Sequence, residues 1–104
     1  MFSLIKKILT PKNNTDFKNL FAQGAVIVDV RMPQEYRSGH IKGSINVPLQ
    51  ELDKEVMKLK KLNKPIITCC LSGGRSAAAE KLLSHQGVEV YNGGGWQGLQ
   101  LKIG

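Results

Sequence analysis

Two uninterrupted apolar runs constrain the fold of this chain more than any other feature. The first is AVIVDV, from Ala25 to Val30, and the second is PIITCC, from Pro65 to Cys70. Both are short and rich in β-branched residues, a pattern typical of strands buried on both faces of a parallel sheet. Stretches with helical spacing follow each run, so the sequence predicts βαβ units.

The remaining segments continue this alternation of strands and helices. SINVP and VEVY are predicted as short strands, and LQELDKEVMKLKKL, RSAAAEKLLSHQG and the stretch from Trp96 to Lys102 as helices. Short helical pieces are expected before Gly24 and from Pro33 to Ser38. The sequence therefore predicts an α/β domain with a mostly parallel central sheet and helices on both faces. We assign residues 1–14 to an N-terminal helical extension and residues 15–104 to the domain.

Charge and apolar content limit the partners of the chain. Fifteen Lys and Arg against eight Asp and Glu give a net charge of +7, which favours small anions or an acidic protein face. The densest basic run, Lys58 to Lys64, has no interleaved aromatic residues, so nucleic acid is not expected. No run approaches the ~20 apolar residues of a membrane span, and no secretory signal is evident. We expect a cytoplasmic protein without stable membrane insertion.

The stretch TCCLSGGRS, from Thr68 to Ser76, lies where a predicted strand ends and a helix begins. Ligands of open α/β sheets bind at such junctions. The loop amides and the first free N–H groups of the helix are expected to cradle an anion, with Gly73 and Gly74 permitting close approach. Arg75 adds a permanent charge. A cysteine at the base of this cradle ionises readily, which predicts a nucleophile for small anionic groups.

The adjacent cysteines give this loop two possible registers. Counted from Cys70 to Arg75 the loop has six residues, and counted from Cys69 it has seven. Successive side chains of a strand point to opposite faces, so only one of the two thiols faces the cradle. A disulfide between neighbouring residues would be strained, and both thiols are expected to stay reduced.

Three separated stretches resemble the rhodanese-fold sulfurtransferases. CLSGGRS is similar to the family's active-site pattern Cys-x-x-Gly-x-Arg-Ser. VIVDVRMPQEYRSGHIKGSINVP resembles its first hallmark segment, and VYNGGGWQGL resembles its closing segment. The similarity runs in the family's order from about Thr15 to Leu101 and is to the short, single-domain bacterial type. It implies a rhodanese-like three-layer domain.

The resemblance also implies a reaction and a set of site residues. Cys70 becomes the nucleophile, because Gly73 then has the family's spacing, and Cys69 becomes a packing residue. The activity implied is transfer of sulfane sulfur from a small anionic donor such as thiosulfate to a thiol or cyanide acceptor, through a Cys70 persulfide and without a cofactor or metal. The implied substrate-binding residues are Leu71, Ser72, Gly73, Gly74, Arg75 and Ser76, and the implied pocket residues are Asp29, Arg31 and Trp96.

Two other functions remain open from the residues. A sulfur carrier would pass the Cys70 persulfide to a partner protein and turn over poorly with small donors. A phosphatase or arsenate reductase would use Cys69, whose longer loop suits a larger tetrahedral oxyanion. Asp29 and Arg31 also suit a purely structural ion pair, and Trp96 also suits a core position.

Overall fold

A computed structural model describes residues 15–104 of the chain. Its helices are α1 (Phe17–Ala22), α2 (Pro33–Arg37), α3 (Leu52–Lys61), α4 (Gly74–His85) and α5 (Trp96–Ile103). Its strands are β1 (Val26–Asp29), β2 (Ile45–Asn46), β3 (Ile66–Cys70) and β4 (Val90–Gly95), and a 3-10 turn at Leu49–Glu51 precedes α3. The helical extension expected over residues 1–14 lies outside the described residues, so the boundary at residue 15 stays a prediction.

The strands form one parallel sheet in the order β2-β1-β3-β4. The two apolar runs of the sequence form its central strands, in which Val28 pairs with Thr68 and Asp29 with Cys69. Because parallel strands end at the same edge of a sheet, the segments that follow Asp29 and Cys70 meet there. The predicted α/β fold with a parallel central sheet is confirmed.

Helices cover both faces of this sheet. On one face, side chains of α3 and α4 pack against β1 and β3, and this core includes Val28, Ile66, Cys70, Leu52, Val56, Ala79 and Leu83. On the other face, α1 and α5 contribute to a core that includes Ile27, Ile67, Cys69, Phe17 and Leu99. The three layers follow from the period-two alternation of apolar side chains in β1 and β3. Among residues 15–104, no helix has the length and apolar character needed to cross a membrane.

Helix α3 places the basic cluster away from the carboxyl edge of the sheet. Its apolar side chains Leu52, Val56 and Leu59 are buried. Acidic residues occupy its first turn and lysines its last turn, which complements the helix dipole. The lysines therefore lie beside the beginning of β3, whereas Cys70 lies at the end of that strand.

Strand β4 differs from its prediction. VEVY was expected as the strand, but β4 begins at Val90 and runs through Asn92 to Gly95. Gly93 explains the difference, because a Cβ at this position would lie 2.7 Å from the Thr68 carbonyl oxygen and 2.8 Å from Leu99. Only glycine permits this approach of β4 to β3, so a residue that favours turns locally serves here as a strand residue.

We expect Gly93→Ala to lower the free energy of unfolding by about 1–3 kcal/mol, because the added methyl group meets backbone that cannot move aside cheaply. The matched control is Gly98→Ala in α5, where a Cβ meets nothing within 4 Å. That substitution should raise the free energy of unfolding by up to about 1 kcal/mol through helix propensity. Urea unfolding of both variants measures the difference, and equal effects would contradict this account of β4.

Candidate active site

The two cysteines lie on opposite faces of the sheet at the end of β3. Cys69 belongs to the core formed with α1 and α5, and Cys70 to the core formed with α3 and α4. Both are free thiols, and neither residue is more than 1% exposed. A single step along the strand therefore gives the two thiols different surroundings.

Cys69 is enclosed by apolar side chains beside the Asp29 carboxylate. Burial, and after it the negative charge of Asp29, raises the pKa of the Cys69 thiol to about 12. The thiol is therefore protonated at neutral pH, and the protonated form is a poor nucleophile. The structure places Cys69 as a packing residue.

Cys70 lies among hydrogen-bond donors from the loop and from α4. Its Sγ accepts the Gly73 N–H at 3.0 Å and the Ser76 N–H at 3.3 Å, and the Ser76 hydroxyl oxygen lies 3.4 Å away. Burial opposes ionisation, but the Ser76 side chain and the amides of Ser76, Gly73 and Ser72 outweigh it and lower the pKa of Cys70. Hydrogen bonds to a charged form favour that form. The loop therefore stabilises a thiolate at Cys70.

Gly73 makes the turn that aims these donors at the sulfur. It is the N-cap of α4 and has a φ of +111°, in the left-handed region that glycine adopts without strain. Its carbonyl oxygen accepts the Ala77 N–H at 3.1 Å, which joins the turn to the first helical turn. The chain therefore reverses within the loop, and its amides point inward.

Ser76 is fully buried and is held from several directions. Its carbonyl oxygen accepts the Thr68 hydroxyl at 2.9 Å, and its own hydroxyl lies 2.7 Å from Oδ1 of Asn92 and 3.0 Å from the Gly73 carbonyl oxygen. These contacts fix the N-terminus of α4 to the end of β3 and to β4. Ser76 is thus brought against Cys70, and its role in substrate binding stays a prediction.

The Arg75 side chain pairs with Glu35 of α2. Nη1 donates to Oε1 at 2.7 Å and Nη2 donates to Oε2 at 2.9 Å, and about a third of each side chain is exposed. The Arg75 guanidinium, together with the Met32 N–H, lowers the pKa of Glu35 to about 2. Arg75, a residue of the loop, therefore also links the loop to α2.

The implied pocket pair Asp29 and Arg31 forms a buried ion pair. Arg31 Nη2 donates to Asp29 Oδ2 at 2.7 Å, and Arg31 Nε donates to Oδ1 at 2.9 Å. Arg31 also donates to the carbonyl oxygens of Gly39 and Glu35, and its guanidinium carbon lies 4.9 Å from the Trp96 ring centroid. The pair holds the α2 segment against the end of β1, a structural arrangement that the sequence had also allowed.

The other loop residues lie at the mouth of the cradle. Leu71 is 59% exposed, and Ser72 and Gly74 are exposed as well. Trp96 is partly buried and packs with the α1 and α5 core, and its ring lies against the Arg31 guanidinium. Within residues 15–104, no three His, Cys, Asp or Glu side chains come together as a metal site.

Two contacts of the loop were not predicted from the sequence. The sequence patterns neither linked Glu35 to Arg75 nor assigned a role to Asn92. Arg75 and Glu35 are 40 residues apart, and Ser76 and Asn92 are 16 apart. Local patterns do not specify such pairs. The position of Asn92 just before a glycine run was the only available signal.

Residues 13–102 match the family model described as the rhodanese-like domain. The chain is 34% identical over 70 residues to the thiosulfate sulfurtransferase PspE of Escherichia coli (strain K12), a match that covers 65% of this chain and 67% of that protein. It is 36% identical over 87 residues to the thiosulfate sulfurtransferase GlpE of Stutzerimonas stutzeri (strain A1501), covering 75% and 79% respectively.

A solved structure shares the fold as well. The rhodanese-related protein from Thermoplasma volcanium superposes with a TM-score of 0.68 at 32% identity, covering 80% of this chain and 82% of that one. The family match spans nearly all of the described residues and includes the loop from Cys70 to Ser76. The chain belongs to the rhodanese-like family.

Proposed function

We propose that this protein is a thiosulfate-type sulfurtransferase that carries sulfur as a persulfide on Cys70. Family membership supports sulfur transfer, and two of the relatives described above are named thiosulfate sulfurtransferases. The observation that carries the proposal is the set of amide donors around Cys70 Sγ, which lowers the pKa of that thiol. An ionised sulfur in an anion-binding loop is the nucleophile that this chemistry requires.

The proposed reaction proceeds in two displacements. The Cys70 thiolate attacks the outer sulfur of thiosulfate, a new S–S bond forms, and sulfite leaves with the electron pair of the broken bond. The outer sulfur of the persulfide, now anionic, is stabilised by the inward amides of the loop. Cyanide or a thiolate then attacks this sulfur, the S–S bond breaks, and the Cys70 thiolate is regenerated. Each step conserves charge and needs no redox cofactor.

In this proposal Arg75 shapes the loop and contributes positive potential to it. Both terminal nitrogens of its guanidinium already donate hydrogen bonds to Glu35. Its inclusion among the predicted substrate-binding residues therefore depends on its position in the loop, not on unpaired guanidinium donors. The amides of Ser72, Gly73 and Ser76 are then the principal contacts for the transferred sulfur.

Cys69 is not favoured as a nucleophile for phosphate or arsenate. Its side chain lies on the face away from the cradle, and its pKa is raised to about 12.

We also propose that the reaction takes place in the cytoplasm, because two free thiols suit a reducing compartment.

An acidic partner protein is a further part of the proposal. The lysines Lys58, Lys60, Lys61 and Lys64 lie near the beginning of β3, at the end of the strand away from Cys70. A partner bound to these lysines leaves the mouth of the loop open. Weakening of the complex by salt is expected, since the contact depends on exposed charges.

Cys70→Ala should reduce thiocyanate formation from thiosulfate and cyanide to background, because the sulfur-carrying atom is absent. Cys69→Ala should retain most of the activity, because this thiol only packs. The cyanide-dependent assay on both variants, with unfolding curves to establish folding, measures the difference. Loss of activity in Cys69→Ala together with an active Cys70→Ala would refute the assignment of the nucleophile.

Thiosulfate treatment should add the mass of one sulfur atom to the wild type and to Cys69→Ala, and none to Cys70→Ala. Intact-protein mass spectrometry detects this adduct, and added cyanide should remove it. Multiple turnovers per Cys70 are expected for an enzyme. A stable adduct that transfers only to a protein acceptor would favour the sulfur-carrier alternative.

Glu35→Gln should lower the free energy of unfolding at pH 7 by on the order of 1 kcal/mol, because it removes the charge that pairs with Arg75. The folded pKa of Glu35 is depressed from 4.5 to about 2, so its contribution is present above pH 4.5 and is lost as the pH falls toward 2. The gap between wild type and variant should therefore close over that window.

Glu55→Gln is the matched control for this experiment. Glu55 has a similarly exposed side chain and pairs with Lys58 of the same helix at 3.5 Å. It should change stability less than Glu35→Gln and should leave sulfur transfer unchanged. Identical pH profiles for the two variants would refute a special contribution of the Glu35–Arg75 pair.

A further inference from the structure

Asn92 of β4 makes two hydrogen bonds through one oxygen atom. Its Oδ1 accepts the Gly94 N–H at 2.9 Å and lies 2.7 Å from the Ser76 hydroxyl oxygen. A backbone N–H only donates, so the atom that faces Gly94 is the amide oxygen. This same oxygen therefore presents an acceptor to Ser76, and the side chain is held in place by its own strand.

The Ser76 hydroxyl has one hydrogen and three neighbours. Asn92 Oδ1 at 2.7 Å and the Gly73 carbonyl oxygen at 3.0 Å can only accept it, whereas Cys70 Sγ at 3.4 Å donates as a thiol and accepts as a thiolate. The shortest of these contacts is the one to Asn92. With the hydrogen directed there, the lone pairs of the Ser76 oxygen face Cys70, and Ser76 accepts the S–H of the thiol.

We propose that Asn92 is a positioning residue that acts through Ser76: it holds the Ser76 hydroxyl hydrogen away from Cys70 and so makes Ser76 an acceptor for the thiol. This inference rests on the proposed function only in taking Cys70 as the working sulfur. When Cys70 loses its proton, the hydroxyl must turn from Asn92 to donate to the sulfur. Asn92 Oδ1 accepts the Gly94 N–H whether Cys70 is a thiol or a thiolate.

The persulfide state gives this arrangement a use. In the thiolate the negative charge is on Sγ, next to Ser76, but in the persulfide the charge is on the outer sulfur and Sγ is a neutral bridging atom. The Ser76 hydroxyl can then donate to Asn92 again, because the neutral Sγ has no charge for it to stabilise. Asn92 therefore disfavours the charged, unloaded form of Cys70 relative to both the thiol and the loaded form.

Other ionisable groups lie around the end of β3. Cys69 is its neighbour on β3, Arg75 approaches from α4 with Glu35 of α2 bound to it, and the Asp29–Arg31 pair lies at the end of β1. None of these groups contacts the Ser76 hydroxyl in the described structure. A substitution at Asn92 therefore tests the hydroxyl directly.

The experiment is the pH dependence of the rate at which iodoacetamide alkylates Cys70, in a Cys69→Ala background that leaves one thiol. Asn92→Ala removes the nearer of the two competing acceptors and leaves the Gly73 carbonyl oxygen at 3.0 Å, so the hydroxyl donates to the thiolate more readily and the apparent pKa should fall by about half a unit to one unit. Ser76→Ala removes this donor and should raise the apparent pKa. Asn92→Asp keeps the acceptor oxygen and adds a negative charge, so it should also raise the apparent pKa.

Combining substitutions separates action through Ser76 from any other effect. In the Ser76→Ala background, Asn92→Ala should leave the apparent pKa unchanged, because no hydroxyl remains to be freed. Asn19→Ala, which truncates an exposed asparagine on α1, is the matched control and should leave the apparent pKa unchanged in either background. Thermal unfolding of each variant establishes that the domain is folded.

An unchanged pKa in folded Asn92→Ala, or a shift that persists without Ser76, would overturn the proposal. If Asn92→Ala does not fold, Asn92→Asp decides: its upward shift should be smaller in the Ser76→Ala background than with Ser76 present, and equal shifts would overturn the proposal. Alkylation needs no sulfur donor. Failure of the thiocyanate assay with this coupling intact would therefore count against the proposed function alone.

Discussion

Consecutive side chains of a strand point to opposite faces of its sheet, and at the end of β3 this places one thiol under α1 and α5 and the other at the start of α4. The rest of the site depends on this alternation. A shift of β3 by one residue would turn each of its side chains to the opposite face of the sheet, so that Cys70 would no longer face the start of α4. β3 is paired with β1 from Val26–Ile66 to Asp29–Cys69. Both strands are buried on both faces, so a shift in their pairing would disrupt the packing of side chains in both cores.

The main chain supplies most of the hydrogen-bond donors around the Cys70 sulfur. The amides of Gly73 and Ser76 reach the Cys70 sulfur directly, while the nearby guanidinium groups of Arg31 and Arg75 are each held by a carboxylate. These ion pairs connect the α2 segment to β1 and to α4. Charged side chains thus hold the surrounding segments together, and the backbone dipoles of a glycine-containing turn face the Cys70 sulfur.

Sequence patterns predicted the parts of the fold that are determined locally. The β-branched runs identified β1 and β3, the spacing of Leu52, Val56 and Leu59 identified α3, and the Cys70 to Ser76 loop identified the strand–helix junction. The order of several hallmark segments gave the family. These features were accessible because hydrophobic periodicity and glycine placement reflect the burial and dihedral angles of neighbouring residues.

The features that were missed depend on contacts between distant residues. β4 contains a glycine run that local preference assigns to a turn, and the lack of a side chain at Gly93 matters only because Thr68 and Leu99 lie against it. Similarly, nothing near Glu35 in the sequence indicates that it pairs with Arg75, and the glycine run after Asn92 does not indicate a contact with Ser76. Long-range packing decided these positions.

The opposite orientation of the adjacent cysteines also determines how the site responds to oxidants. A peroxide that converts Cys70 to a sulfenic acid leaves Cys69 unable to condense with it, because that thiol lies on the other face of an intact strand and stays protonated. Repair must therefore come from a thiol that enters through the mouth of the loop. In the proposed reaction, a thiol acceptor that collects sulfur by this route is also the molecule placed to reduce the oxidised Cys70.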